Sequence, residues 1–185
     1  RRVHGEPLAY ILGAREFYGL EFHVTPAVLI PRQETELLVD GVLNWCNENG
    51  KDRPHIADVG AGSGAIAVAA AIHLPEATVY ATDSSAEALK IAEVNLRGHG
   101  VSDRVHLFRG DLLSPVFEPV DIVVSNPPYL TTSELAGAQR EVRSEPESAL
   151  DGGPDGLRTI ERLLRQAPGK VRPGGLVLIE ISPSL

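Results

Sequence analysis

His55-Ile56-Ala57-Asp58-Val59-Gly60-Ala61-Gly62-Ser63-Gly64-Ala65 is the stretch on which the fold turns. Five residues of strand character enter a loop of alternating glycines, and a run of small residues from Ala65 to His73 leaves it as a helix. Glycine lets the backbone turn tightly there and lets a ligand come close to the main chain. Strand, glycine turn and helix in that order open a βαβ unit. Downstream the alternation continues. Thr78 to Thr82 reads as a second strand ending at Asp83, and Ser84-x-x-Glu87 as a capping box that starts a helix running through Leu96. Val105 to Phe108 is a third strand, and Val120 to Ser125, apolar on both faces, a fourth. Leu157 to Ala167 is a helix and Gly175 to Ile181 a fifth strand. Strands alternating with helices at this spacing predict an α/β fold with a mostly parallel, doubly wound sheet.

Upstream the pattern differs. Glu16 to Val24 suits a short hairpin turning near Gly19, and Val28-Leu29-Ile30 runs into Pro31. From Glu34 to Asn47 the apolar positions Leu37, Leu38, Val42, Leu43 and Trp45 fit an amphipathic helix, closed by the polar loop Asn49 to Asp52. The chain therefore divides into an N-terminal hairpin-and-helix segment, 1–53, that leads into a core, 54–185.

With 185 residues, 43% of them hydrophobic, the chain can bury one substantial core. No apolar run approaches the roughly 20 residues that span a bilayer, so no membrane is expected. The single cysteine, Cys46, excludes an intrachain disulfide and suits a reducing cytoplasm, where it packs as a small hydrophobe. The net charge of −8, with no basic cluster beyond Arg1-Arg2, argues against direct nucleic-acid binding. No metal-ligand pattern is assigned.

The glycine loop has two readings. As G-x-G-x-x-A, ending on Ala65, it matches a dinucleotide fingerprint, and Asp83 falls about 20 residues on, where a ribose-binding acid belongs. Gly60, Ala61, Gly62, Ser63 and Gly64 thus leave a nicotinamide cofactor and S-adenosylmethionine both open. Asp83, at the carboxyl end of a parallel strand, faces the ligand crevice and can accept from both ribose hydroxyls. Asp111 follows strand three in the same way; its carboxylate can accept from an adenine amino group while Leu112 offers the ring an apolar surface. Read locally, Asp111 is equally a surface turn residue.

Asn126-Pro127-Pro128-Tyr129, after strand four, decides between the cofactors. Two prolines fix φ and hold the backbone extended. The Asn126 side-chain oxygen and the Pro127 carbonyl are both acceptors and together take both hydrogens of an NH2 group. Tyr129 adds a flat face for an amide or a base edge. Such a site serves a planar, weakly nucleophilic nitrogen: it raises electron density there and aims it at a sulfonium methyl. Hydride transfer has no use for it. The expected catalytic and substrate-binding residues are Asn126, Pro127, Pro128 and Tyr129; Asn126 also borders the cofactor.

With these residues in place, the chain resembles the HemK/PrmC family of release-factor-specific protein-(glutamine-N5) methyltransferases over nearly its whole length. The resemblance includes Gly5-x-Pro7-x-x-Tyr10-Ile11-x-Gly13, Phe17-x-Gly19-x-x-Phe22-x-Val24, and Leu29-Ile30-Pro31-Arg32-Gln33-Glu34-Thr35-Glu36, where Gln33 replaces the family's second proline. It continues through the glycine loop, Asn126 to Tyr129, and Glu145-Pro146-x-x-Ala149-Leu150-x-Gly152-Gly153-x-Asp155-Gly156-Leu157. The resemblance implies a Rossmann-like class I S-adenosylmethionine-dependent methyltransferase. It implies that Gly60 to Gly64 wrap the methionine part, that Asp83 holds the ribose, that Asp111 and Leu112 border the adenine, and that Asn126 to Tyr129 grip the glutamine amide of a release factor. Pro31 to Glu36 would close the pocket; without the resemblance that segment reads as an ordinary helix start with Thr35 near its positive end. Against the family pattern the chain is expected to be truncated at both ends, short of an N-terminal helical domain and of the last strands. The tetrapeptide alone is also compatible with an amino-methyltransferase acting on adenine or guanine of DNA or RNA. A non-catalytic cofactor-binding module and a nicotinamide enzyme are the remaining alternatives.

Overall fold

The computed structural model describes residues 2–182. Near the N-terminus a short helix α1 (Leu8–Leu12) ends at Gly13, whose φ of 75° reverses the chain into the hairpin β1 (Ala14–Phe17) and β2 (Leu20–His23). The expected turn is there: Tyr18 and Gly19 both take positive φ, 53° and 72°, which matches the right-handed twist of a tight hairpin. Tyr18 tolerates this because its N–H donates to Glu36 Oε1 at 2.8 Å and its hydroxyl to Asp40 at 2.7 Å. Helix α2 (Glu36–Glu48) starts two residues later than the sequence pattern suggests and ends one later.

The sheet is formed by β3 (His55–Val59), β4 (Thr78–Asp83), β5 (Val105–Arg109), β6 (Val120–Ser125) and the later β9 (Val171–Ile179), in the order β5-β4-β3-β6-β9 with every pair parallel. Between them lie α3 (Ala65–His73), α4 (Ala86–Gly98), the short β7 (Leu130–Thr131), α5 (Thr132–Gly137), β8 (Asp151–Gly153) and α6 (Arg158–Gln166). Parallel strands buried on two faces require apolar residues at successive positions. In β6 all six residues are buried: Ile122 and Val124 face α2 and α3, while Val120 and Val123 face Leu163 of α6 and the Leu113–Val116 turn. Phe17 and Phe22 carry the hairpin into the first of these layers.

Two boundaries differ from expectation for visible reasons. Helix α4 is capped by Ser85, not Ser84: Asp83 Oδ1 accepts the Ser85 N–H at 2.8 Å, and the Ser85 hydroxyl accepts from Ala88 N at 3.1 Å. Strand β9 begins at Val171 rather than Gly175, because Val120 N donates to Lys170 O at 2.9 Å and opens the pairing early. The register then slips between Val120 and Ile122, where a Cβ on Gly175 would lie 2.5 Å from Asp121 O. That strand ends at Ile179, two residues before the expected Ile181. The short parallel pair β7–β8 and helix α5 have no counterpart among the expected elements.

Among the described residues no helix is long and apolar enough to cross a membrane, and no three His, Cys, Asp or Glu gather as a metal site.

Candidate active site

From β3 the chain moves outward through β4 to β5, then returns to the other side of β3 as β6. At such a reversal the loops leaving neighbouring strands part, and a crevice opens beyond their carboxyl ends. Here it is a cavity of about 520 Å³ between the loops after β3 and β6, within the range of small-molecule and cofactor sites.

The glycine loop forms one wall. Gly60, Gly62 and Gly64 have φ of 79°, 55° and 80°, a sequence only glycine adopts without strain. Gly60 N and Ala61 N both donate to Thr82 O at 2.9 Å, and Gly62 N donates to Asp83 Oδ2 at 2.9 Å. The loop is thus folded onto the end of β4, and Asp83, each of whose oxygens holds one backbone N–H, keeps lone pairs for a ligand. Gly60, Ala61, Gly62, Ser63 and Asp83 line the cavity. Gly64 does not; a Cβ there would sit 3.3 Å from Ala92 Cβ and Leu96 Cδ1, so its role is the close packing of α3 on α4.

Asp111 and Leu112 line the same cavity. Leu112 adopts φ 50°, a conformation that costs a bulky residue about 1 kcal/mol or more and is found at ligand-binding turns. Asp111 is gripped by Arg162 of α6, whose Nη2 lies 2.6 Å from both carboxylate oxygens. A ligand amino group approaching Asp111 shares it with this guanidinium.

The loop after β6 contributes Asn126, Pro127 and Pro128 to the lining. The Asn126 Nδ2 donates to the Thr35 hydroxyl at 3.0 Å. Its Oδ1 keeps its acceptor capacity. Tyr129 is not among the cavity-lining residues: its hydroxyl donates to Glu180 Oε1 at 3.2 Å, beyond the end of β9. Burial, and then the Glu180 carboxylate, push the Tyr129 hydroxyl up to about 12, so it stays a donor at neutral pH.

Other walls come from residues that sequence reasoning reaches only through family resemblance or misses. Glu145 is buried; its Oε2 accepts the Ile30 N–H at 2.9 Å and its Oε1 pairs with Arg32. This clasp joins the segment before α2 to the segment before β8. Tyr10, whose hydroxyl donates to Val28 O at 2.6 Å, secures the first of these from beneath. No local pattern marks Glu145, since its partners lie more than a hundred residues away. Arg158 and Arg162, spaced four apart on α6, also reach the cavity; a basic pair at helical spacing is the signal that could have found them.

The arrangement combines a carboxylate, a glycine loop, an apolar side at Leu112, and an amide acceptor on the loop after β6 beside Gly60. The model of the methyltransferase small domain family matches residues 34–153. A release factor glutamine methyltransferase from Moorella thermoacetica is 51% identical over 182 residues, covering 98% of this chain and 64% of the relative. Another of that name from Gloeobacter violaceus is 46% identical over 177 residues, covering 95% and 61%. The chain therefore spans less than two thirds of the length of these relatives. Among solved structures, the Thermus thermophilus 16S rRNA N2 G1207 methyltransferase, in complex with AdoMet and guanosine, superimposes with a TM-score of 0.64 at 18% identity, covering 90% of this chain and 40% of that one. That likeness bears on the fold.

Proposed function

Since this chain belongs to the methyltransferase small domain family, we propose that it transfers a methyl group from S-adenosylmethionine to the side-chain amide nitrogen of the glutamine in the Gly-Gly-Gln loop of a peptide-chain release factor, in the cytoplasm. The observation that carries this reading is the Asn126 amide: its NH2 is occupied by Thr35, which leaves its oxygen as an acceptor at the end of the cavity. The names of the relatives at 51% and 46% identity support an amide rather than a base as the acceptor. So does the net charge of −8, which suits a protein substrate better than a polyphosphate one.

The residues present fit S-adenosylmethionine, which supplies an electrophilic methyl on a sulfonium. Asp83 accepts from the ribose hydroxyls with the lone pairs that Gly62 and Ser85 leave. Leu112 borders the adenine, and Asp111 accepts from its amino group alongside Arg162. The loop Gly60 to Gly64 wraps the methionine part through its main chain. Asn126 Oδ1 and the Pro127 carbonyl accept the two N–H bonds of the substrate amide, draw its nitrogen lone pair out of conjugation and hold it in line; as the nitrogen–methyl bond forms in place of the sulfur–methyl bond, the nitrogen turns acidic and loses one of those two protons to water. Pro127 and Pro128 keep those acceptors rigid, and Tyr129, anchored on Glu180, closes the substrate side. Residues 54–185 form the transfer core, and 1–53 supply the wall that covers it.

The full-length protein, given S-adenosylmethionine with a tritiated methyl, is expected to label a release factor and not its Gln→Asn variant. Equal labelling of both overturns the reading. Asn126→Ala is expected to lower kcat by about 100-fold or more, the scale of losing one preorganised charge-stabilising contact, while the cofactor Kd stays nearly unchanged.

A further inference from the structure

We propose that Thr35 is a positioning residue: its hydroxyl takes the Asn126 NH2 and so turns the Asn126 oxygen toward the substrate. The inference deepens the function proposed above and rests on Asn126 as the acceptor for a substrate NH2.

A side-chain amide has two faces of nearly equal shape, an oxygen that accepts and an NH2 that donates. Only one orientation serves an NH2 substrate. With Asn126 turned over, two donors would face each other and the acceptor would point away. Prolines 127 and 128 fix the backbone but leave that final side-chain rotation free. Thr35 Oγ1, 3.0 Å from Asn126 Nδ2, is the partner that holds the amide in the accepting orientation. A hydroxyl can also donate, and Asn126 would then present Nδ2 to the cavity; the incoming NH2 disfavours that state, so the accepting hydroxyl and the productive amide are selected together.

Thr35 is free for this task. It stands immediately before α2, where a threonine commonly caps the helix, yet its backbone is already helical (φ −65°, ψ −18°) and its side chain makes no capping bond. Only 5% of the residue is exposed, so water does not readily replace it as the acceptor. Its main chain is held at both ends: Thr35 N donates to Arg32 O at 3.2 Å, and Leu38 N donates to Thr35 O at 3.0 Å. Arg32 is held in turn by Glu145. The hydroxyl is therefore placed by the same clasp that closes the cavity.

Two nearly isosteric substitutions separate positioning from packing. Valine keeps the volume and loses the acceptor; serine keeps the acceptor and loses a methyl. In the full-length protein, Thr35→Val is expected to lower kcat for release-factor methylation by about 10- to 100-fold, the cost of misaligning a positioned contact, with the cofactor Kd and the Tm close to wild type. The nitrogen-15 NMR signals of the Asn126 side-chain NH2 are expected to lose their hydrogen-bonded shift. Thr35→Ser is expected to keep both the rate and the shift. A packing role predicts the reverse, an active valine variant and an impaired serine variant, and that result overturns the proposal. Unshifted Asn126 signals in Thr35→Val overturn it whatever the activity. If the wild-type protein labels no release factor, the function reading fails, while the Asn126 signals still decide the role of Thr35: a shift lost with valine and kept with serine supports it.

Discussion

Asp58 lies next to the last residue of β3, two residues before the glycine loop, and is 1% exposed. Its Oδ2 accepts the Ala67 N–H at 3.1 Å, while no partner is found for Oδ1 among the described residues. Burial pushes this carboxyl up to about 7; the Ala67 N–H opposes that rise and the Asp83 charge adds to it. In the unfolded chain an aspartate titrates near about 3.9. Between those values the folded state binds the extra proton. The stability Asp58 contributes is thus complete below about pH 4, falls by roughly 1.4 kcal/mol for each pH step of one toward 7, and is level above it. Asp58→Asn removes that dependence. Urea midpoints at pH 4 to 8 are expected to show the variant gaining on the wild type up to about pH 7 and then holding a constant difference; a difference that does not change with pH would mean that Asp58 stays ionised in the fold. Legibility at this scale follows locality. Asp83 is readable because strand end, acid and glycine loop are close in sequence, with Gly62 and Asp83 only 21 residues apart. Thr35 is not, because a threonine at a helix start carries the same local signal whether its hydroxyl caps the helix or reaches residue 126.

The elements that are hardest to read are the ones that support the tetrapeptide. Strands β7 and β8 have two and three residues, too few for any periodicity to register. Helix α5 does carry a usable signal, Thr131-x-x-Glu134, and both halves of that capping box form. The long buried strands and the alanine-rich α3 are legible because parallel strands and close helix contacts restrict composition strongly. Within the β7–β8 pair, Leu130 N donates to Leu150 O at 3.0 Å, and Gly152 passes so near the tetrapeptide that a Cβ would lie 2.8 Å from Pro128 O and 2.6 Å from Gly156 O. Main-chain atoms cannot yield cheaply there. Gly152→Ala is expected to displace the Pro127–Pro128 backbone and lower kcat by about 100-fold, as displacements near 1 Å do at a reacting centre. Cofactor Kd, which the proposed function assigns to the glycine loop and Asp83, is expected to change far less. Steady-state kinetics and calorimetry on the same preparation check the pair of outcomes, and an equal loss in both would place Gly152 in the cofactor wall instead.

Across the molecule the two ends of the sheet have separate tasks. At the amino ends of the strands, Asp121 receives Lys51 Nζ at 2.9 Å, His55 N at 2.9 Å and Arg172 Nη1 at 2.8 Å, which ties three strands together away from the cavity. At the carboxyl ends, closure depends on Glu145 with Ile30 and Arg32. Glu145→Ala strands a buried N–H and a guanidinium, a cost of about 1–3 kcal/mol. Hydrogen exchange is expected to speed up at residues 27–36 and stay slow in β3 and β6, with cofactor affinity falling about tenfold for 1.4 kcal/mol of lost closure. Unchanged exchange at 27–36 would mean that this wall does not depend on the clasp. The contacts around the cavity also differ in how much chain each of them closes. Gly62 and Asp83 meet across 21 residues, Asn126 and Thr35 across 91, Arg32 and Glu145 across 113. Joining distant chain segments costs more entropy than joining near ones. The contact that folds the glycine loop onto Asp83 is therefore the one that costs least chain entropy to close. The Arg32–Glu145 clasp, across 113 residues, closes the longest loop of the three and gives up the most chain entropy when it forms.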